Sequence, residues 1–205
     1  MYKSFSNFFT EQTRDGKLVI VYSGRFQPAH KGHAMAYNVL VQEYPEADVW
    51  VATSNVVKED SPFNFQERKF LLEKAGVPGN KIVQVVNTYV VKEITSKYNE
   101  QKDHLIYVVS QKDADRFSYK PKKDGTMPYL RKLEDVKELL PMGEKGYVKV
   151  GKTFPFKILG KTVTGATQIR DMYKHVSEAE RKQIIVDLYG KFDDGIYNLF
   201  NKKLK

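Results

Sequence analysis

At 205 residues, with 41% hydrophobic and 29% charged residues, the chain has the make-up of one ordinary globular domain with a sizeable core. It has no cysteine, which excludes disulfides and thiol catalysis and fits a cytoplasmic protein, and no apolar run nears the roughly 18 residues that would cross a bilayer. The net charge of +9 points to polyanionic partners, nucleotides or nucleic acid, or to solubility alone.

Residues 1–17 read as an N-terminal extension; Met1 to Phe5 lack the apolar stretch of a signal peptide, and Phe5, Phe8 and Phe9 predict a short amphipathic helix. Residues 18–205 then read as a single domain. Leu18 to Tyr22 is a run of branched and apolar residues expected to form a buried strand. It passes through Gly24-Arg25-Phe26-Gln27-Pro28-Ala29-His30-Lys31-Gly32-His33 into a helical stretch where Met35, Val39 and Leu40 recur at helical spacing. A strand, a glycine-containing turn and a helix start form an anion site, because first-turn N–H groups lack partners and the dipole favours negative charge. Arg25 and Lys31 add fixed positive charge, Gly32 permits close approach, and His30 and His33 place two imidazoles in the same turn. The pair suits a triphosphate. Half of a metal site is the rival reading, for which only His104 and His175 remain as further histidines.

Asp48 to Thr53 is the second expected strand, and Trp50 within it is either core or a base-stacking platform. A polar loop, Ser54 to Ser61, precedes a helix capped by Asn64 and ended by Gly76, on which Arg68 reads as solvated and paired to a nearby glutamate. Lys81 to Val86 reads as a third strand, Thr88 to Lys97 as a helix, and Leu105 to Val109 as a fourth strand. The polar turn after it carries Asp113, either a ribose or base ligand or a helix N-cap. The stretch from about 118 to 160 is the least regular, with solvated lysines at Lys120, Lys122 and Lys123. Within it we expect a helix over Leu130 to Leu140 and short strands at Val148 to Val150 and Phe156 to Leu159. Thr164-Gly165-Ala166-Thr167-Gln168-Ile169-Arg170 opens another helix with small residues at its start, a second anion site toward which Arg170 can lean back. A Ser177–Glu180 capping box and Asp193 to Leu204 give the last helices, expected to pack over the sheet's edge.

The ten-residue turn resembles the signature of the HxGH nucleotidyltransferase superfamily. Gly-Arg-Phe-Gln-Pro is most similar to nicotinamide-mononucleotide adenylyltransferases of the archaeal type, whereas cytidylyltransferases usually carry Gly-Thr-Phe-Asp there. Pro62-Phe63-Asn64-Phe65-Gln66-Glu67-Arg68 resembles a second segment of the same enzymes, and Thr167, Ile169 and Arg170 match the Ile-Ser-x-Thr-x-Ile-Arg signature, with Gly165 in place of the serine and Thr164 beside it. The resemblance spans roughly residues 18–190 and implies an α/β, Rossmann-like doubly wound parallel sheet with helices on both faces. The segment around 118–160 is longer than its counterpart in that family.

The implied chemistry is transfer of a nucleotidyl group from ATP (or CTP) to a phosphorylated small-molecule acceptor, with pyrophosphate released and Mg²⁺ held by phosphates. The resemblance assigns His30, Lys31, His33 and Arg170 to catalysis. It assigns Gly24, Arg25, Phe26, Gln27, Gly32, Arg68, Asp113, Thr164, Gly165, Thr167 and Tyr89 to substrate binding, Arg68 as a phosphate contact and Tyr89 as the nearest aromatic to an acceptor ring. No protein metal ligands are implied. The acceptor expected is nicotinamide mononucleotide, with another phosphorylated acceptor or CTP as the alternative. A class I aminoacyl-tRNA synthetase shares the His-x-Gly-His turn, but the chain has no Lys-Met-Ser-Lys-Ser-like loop. A non-catalytic nucleic-acid-binding protein is the remote alternative; no membrane partner is expected, and an oligomer is compatible.

Overall fold

The structure, a computed structural model, describes residues 16–205, so the helix expected around Phe5 to Phe9 lies outside the described residues. Six parallel strands form one sheet in the order β3-β2-β1-β4-β6-β5: β1 (Leu18–Ser23), β2 (Asp48–Thr53), β3 (Ile82–Gln84), β4 (His104–Val109), β5 (Leu130–Lys132) and β6 (Gly146–Val150). The continuous apolar run of β1 follows from this position. Leu18 and Ile20 face one core while Val19 and Val21 face the other, so both faces of the strand are dry. The sheet is doubly wound. The strand order reverses at the β1–β4 pair, and in such sheets the carboxyl ends beside the reversal frame the ligand crevice.

The first face is covered by α1 (Lys31–Glu43), α2 (Phe65–Ala75), α5 (Ala166–Lys174), α6 (Glu178–Tyr189) and α7 (Asp194–Leu204). The second carries two four-residue helices, α3 (Lys92–Thr95) and α4 (Gln111–Ala114). In α1 the buried stripe runs through Tyr37 and Leu40 to Tyr44, while Met35 is exposed, so the expected Met35–Val39 face is rotated from the true one. The small Ala34 and Ala36 let the helix lie close to the sheet, which spacing of large residues does not reveal.

Two further expectations are corrected. Leu130 to Leu140 is β5 followed by a 3-10 turn (Leu133–Asp135), not an α-helix. The three-residue recurrence of apolar side chains there matches a 3-10 turn, and Leu130 pairs in register with Gly146. Of Thr88 to Lys97, only α3 is helical; Asn87 and Val90 bridge across a tight turn, consistent with the β-branched content of the stretch. The strand expected at Phe156 to Leu159 is present as β7 (Phe156–Ile158), and β8 (Lys161–Val163), which the sequence does not signal, pairs with it in a hairpin. Its two-residue loop, Leu159-Gly160, has positive φ at both positions, 48° and 75°, as a primed turn requires. Leucine at that position gives no turn signal, and the Asp187 carboxylate accepts its N–H at 2.8 Å.

The C-terminal helices pack on α2 and the hairpin as part of the first face. Phe200 is fully buried with its ring centroid 5.6 Å from Phe63, 5.4 Å from Tyr173 and 6.3 Å from Tyr189. Lys203 pairs with Glu67 at 3.1 Å, and Lys74 with Asp193. Among the described residues, no helix is long and apolar enough to cross a membrane. Phe200→Ala should therefore destabilise the fold by about 3–5 kcal/mol, the usual cost of a buried aromatic truncation, as measured by denaturant unfolding.

Candidate active site

The turn that follows β1 is held in place by distant parts of the chain. Gln27 is buried, and its amide makes a two-way bond with the Phe63 backbone: Nε2 donates to the carbonyl at 2.8 Å, and the N–H donates to Oε1 at 2.9 Å. The Tyr189 hydroxyl donates to the Ala29 carbonyl at 2.6 Å, and an Arg170 guanidinium nitrogen donates to the Gln27 carbonyl. The Gln27–Pro28 peptide is cis, Phe26 has φ 50°, and the Phe26 ring lies against Gly24. A Cβ at Gly24 would stand 2.9 Å from that ring, so the glycine is required by packing.

His30 is the N-cap of α1, and with His33 it forms a capping box built from two imidazoles. His30 Nδ1 accepts from the Gly32 N–H at 3.2 Å, and His33 Nδ1 accepts from the His30 N–H at 3.2 Å. The rings lie 3.8 Å apart, centroid to centroid, with Phe26 edge-on to His33 and Phe156 against His30. Because each Nδ1 accepts, each ring carries its proton on Nε2, and among the described residues nothing takes that N–H, which leaves it for a ligand. This alters the expected anion site: the cap uses α1 backbone N–H groups on the histidines, and the histidines in turn present donors to the cleft. Burial holds His33 near a pKa of about 4. It also pushes His30 well below the ordinary range, helped by the neighbouring His33 and Lys31 charges. Both rings are therefore neutral donors at pH 7. A Cβ at Gly32 would come within 3.1 Å of the His30 ring and 3.3 Å of the Phe154 carbonyl, so the glycine sets the ring's position.

Two adjoining clefts open at the carboxyl ends of β1 and β4. The first, about 200 Å³, is lined by Gly24, Arg25, Phe26, His30, Gly32 and His33. With them stand Ser110 and Asp113 after β4, Gly151 to Phe154 after β6, and Thr164, Gly165 and Ala166 at the start of α5. The second, about 280 Å³, shares Ser23, Gly24, Arg25 and Asp113 with the first, and adds Arg68, Thr88, Tyr89, Arg116 and the Ser54–Ser61 loop. The two predicted anion sites thus face one crevice. At α5, Gly165 is the N-cap and supplies no side-chain bond, so the first-turn N–H groups there keep their capacity for an anion. The space around Gly165 is open, and Thr164 engages Gln168, its hydroxyl 3.5 Å from Oε1 and its N–H donating at 3.0 Å.

Four of the expected site residues support the clefts' walls rather than line them. Gln27, Lys31, Thr167 and Arg170 are not among the residues that line either cleft. Gln27 is spent on Phe63, and Lys31 stands 5.4 Å from the Phe156 ring. Arg170 bridges the Gln27 carbonyl to the Thr167 hydroxyl, joining the two signature turns, and lies near Arg25 and Asp60 of the second cleft.

Arg68 is 1% exposed, which overturns the solvated reading. It donates to Phe63 O at 2.7 Å, to Thr53 Oγ1 at 3.2 Å and to the carbonyls of Ser54 and Val56, shaping the loop after β2. Burial lowers its pKa to about 10, and no carboxylate pairs with it among the described residues. Asp113 is not an N-cap. Ser110 caps α4, and Asp113 stands in the first turn, paired with Arg116 at 3.0 Å. Trp50 is neither deep core nor in either cleft: Lys81 and Lys97 lie over its ring, and its indole N–H donates to Tyr98.

Sequence reasoning missed Arg116 and the Gly151–Phe154 segment. The segment was readable in principle, since it follows the carboxyl end of an expected strand in a sheet where ligands sit at such ends. Arg116 gave no local signal.

A cytidylyltransferase-like family model matches residues 21–142, more than half of the chain. Among solved structures, the chain is similar to a bifunctional NMN adenylyltransferase/ADP ribose pyrophosphatase from Francisella tularensis complexed with AMP and a manganese ion. The two share 18% identity and a TM-score of 0.50 over 91% of this chain and 48% of that one, so the chain spans about half the length of that relative. It is also similar to the Plasmodium falciparum nicotinic acid mononucleotide adenylyltransferase complexed with NaAD, at 13% identity and a TM-score of 0.42, over 92% of this chain and 100% of that one. A search of curated proteins found no match.

The histidine pair gives a pH test. Folded-state pKa values below the unfolded value of ~6.5 mean that the unfolded chain binds more protons between pH 6.5 and about 4, so the pair's contribution to stability falls as pH drops through that window. The double variant His30→Asn, His33→Gln keeps residue types able to form the capping box but removes the titration. Its stability should fall less than wild type between pH 6.5 and 4 in parallel urea titrations. Taken together, the matched family model and the doubly wound sheet place this chain in the cytidylyltransferase-like family.

Proposed function

We propose that the protein transfers an adenylyl group from ATP to nicotinamide mononucleotide, forming NAD and releasing pyrophosphate. The observation that carries this reading is the pair of neutral imidazoles, each with Nε2–H unspent, facing the uncapped start of α5 across one crevice. Such an arrangement suits a triphosphate. The adjoining cleft, which shares Ser23, Gly24, Arg25 and Asp113 as its wall, would take the acceptor beside Tyr89. Tyr89 is half-buried, with Phe117 edge-on at 4.9 Å, a fixed ring on which a pyridine could stack. The sequence resemblance at Gly24 to Pro28 and at Pro62 to Arg68 favours the nicotinamide branch.

In this reading, an acceptor phosphate oxygen attacks the α-phosphorus of ATP in line, the bond to the β-phosphate oxygen breaks, and pyrophosphate leaves with that electron pair. The attacking oxygen is already anionic, so neither an enzyme nucleophile nor a general base is needed. The protein contributes position and charge stabilisation. His30 and His33 donate to triphosphate oxygens, the α5 N–H groups serve the opposite side, and Arg25 and Arg116 lie along the acceptor's path. Arg170 acts by holding the Gln27 carbonyl, and Arg68 by shaping the loop around the acceptor. Mg²⁺ would accompany the triphosphate and screen its charge. The described residues include no cluster of three potential metal ligands, and Asp60 and Asp113 are paired with Arg25 and Arg116, so its ligands would be phosphate oxygens and water.

A pyrophosphate-release panel tests the proposal, crossing ATP and CTP with nicotinamide mononucleotide, phosphopantetheine, phosphocholine and glycerol 3-phosphate. NAD formation should stand well above every other pair, and Tyr89→Ala should raise KM for the acceptor. Turnover with CTP and a phospho-alcohol, but none with nicotinamide mononucleotide, would overturn the substrate. His30→Ala should lower kcat on the order of 10²-fold or more, as loss of a charge-stabilising donor does.

A further inference from the structure

The segment from Gly151 to Pro155, between β6 and β7, has no regular structure; its residues Gly151 to Phe154 form a wall of the first cleft adjoining the histidine turn, where the Phe154 carbonyl lies close to Gly32. At its start, the Gly151 N–H donates to the Val109 carbonyl at 2.9 Å. At its far end, Phe156 packs on His30. Between these, the polar anchor is Glu43, the last residue of α1. Its carboxylate accepts from Lys152 Nζ at 2.6 Å and lies 3.5 Å from Lys149 Nζ, which also donates to the Tyr44 hydroxyl at 3.1 Å. Burial pushes the Glu43 carboxyl up, but the two lysines outweigh it and hold the group below its usual range.

An isolated exposed ion pair is worth little, and Lys152 alone, 62% exposed, would be such a case. Here one carboxylate serves two ammonium groups, and Lys149 is the better buried of them. Helix α1 therefore presents the histidine pair at its first turn and anchors the adjoining wall at its last residue. We infer that Glu43 is a positioning residue for the nucleotide: through Lys152 it holds the Gly151–Pro155 segment at the distance from His30 that the bound nucleotide requires. This rests on the reading of the first cleft as the nucleotide site.

The test is ATP affinity by calorimetry without acceptor, together with ATP KM and kcat, for Glu43→Gln, Lys152→Met and the double variant. Each single change should raise Kd and KM for ATP by about three- to tenfold with kcat within twofold, and the double variant should be no worse than the weaker single, as expected of one coupled device. Melting temperatures are read in parallel. If Glu43→Gln fails to fold, Glu43→Asp, which withdraws the charge by one methylene, should show the same change at smaller size. Weakened binding in Lys152→Met with unchanged or tighter binding in Glu43→Gln would show that Lys152 touches the nucleotide directly, and would overturn the inference alone. Wild-type protein that binds no ATP would overturn the reading of the cleft and this inference with it.

Discussion

The turn from Gly24 to Lys31 is held by hydrogen bonds to three remote regions of the chain. Gln27 and the Phe63 backbone hold each other, Arg170 takes the Gln27 carbonyl, and Tyr189 takes the Ala29 carbonyl. Each of these contacts joins the turn to an element more than 35 residues away, so the histidine pair can be placed only when the helices of the first face have docked. The C-terminal helices, which carry no candidate site residue, thereby take part in building the site. Their shared core with Phe63 and Phe200 is the physical route by which they do so.

The electrostatics follow the same logic of neutral donors and distributed charge. Two imidazoles in a charged form would repel each other at a ring separation of 3.8 Å, and burial keeps them neutral. Arg68 remains cationic with no salt bridge among the described residues, Glu67 being the carboxylate that acts on it, and its donors are taken up by carbonyls and a hydroxyl. The second cleft thus has a wall with more positive than negative side chains, and the carboxylates it contains, Asp60 and Asp113, are each engaged by an arginine. Such a wall favours an anionic acceptor at long range. The net charge of the chain carries no such information, because much of it resides on surface lysines.

Where local pattern and tertiary structure agreed, the reason was that one physical demand left one residue choice. A strand dry on both faces is apolar nearly throughout, so β1 and β4 were readable. Helices with complete caps, Asn64 with Glu67 and Ser177 with Glu180, had visible starts. The pattern failed where a residue's neighbours lay far off in sequence. Leu159 occupies a left-handed turn position because a distant aspartate and the hairpin hold it there. Leu130 to Lys132 became a strand because β6 offered an open edge.

The candidate site divides along the same line. The sequence by itself determined that two helices start on small residues, one bearing His30 and His33 and the other Gly165 and Thr167, and it made both candidate anion sites, because that capacity is local to a helix N-terminus. The polar turn after the fourth strand marked Asp113, and the family resemblance marked Tyr89. Only the tertiary structure decided which residues of those motifs face the crevice and which support it. Gln27, Lys31, Thr167 and Arg170 belong to the signatures yet line neither cleft, whereas Arg116 and Gly151 to Phe154 lie outside them and do. The direction of a side chain at a turn depends on what packs behind it, and at this turn the packing comes from Phe63, Tyr189 and Phe156, which no local window contains.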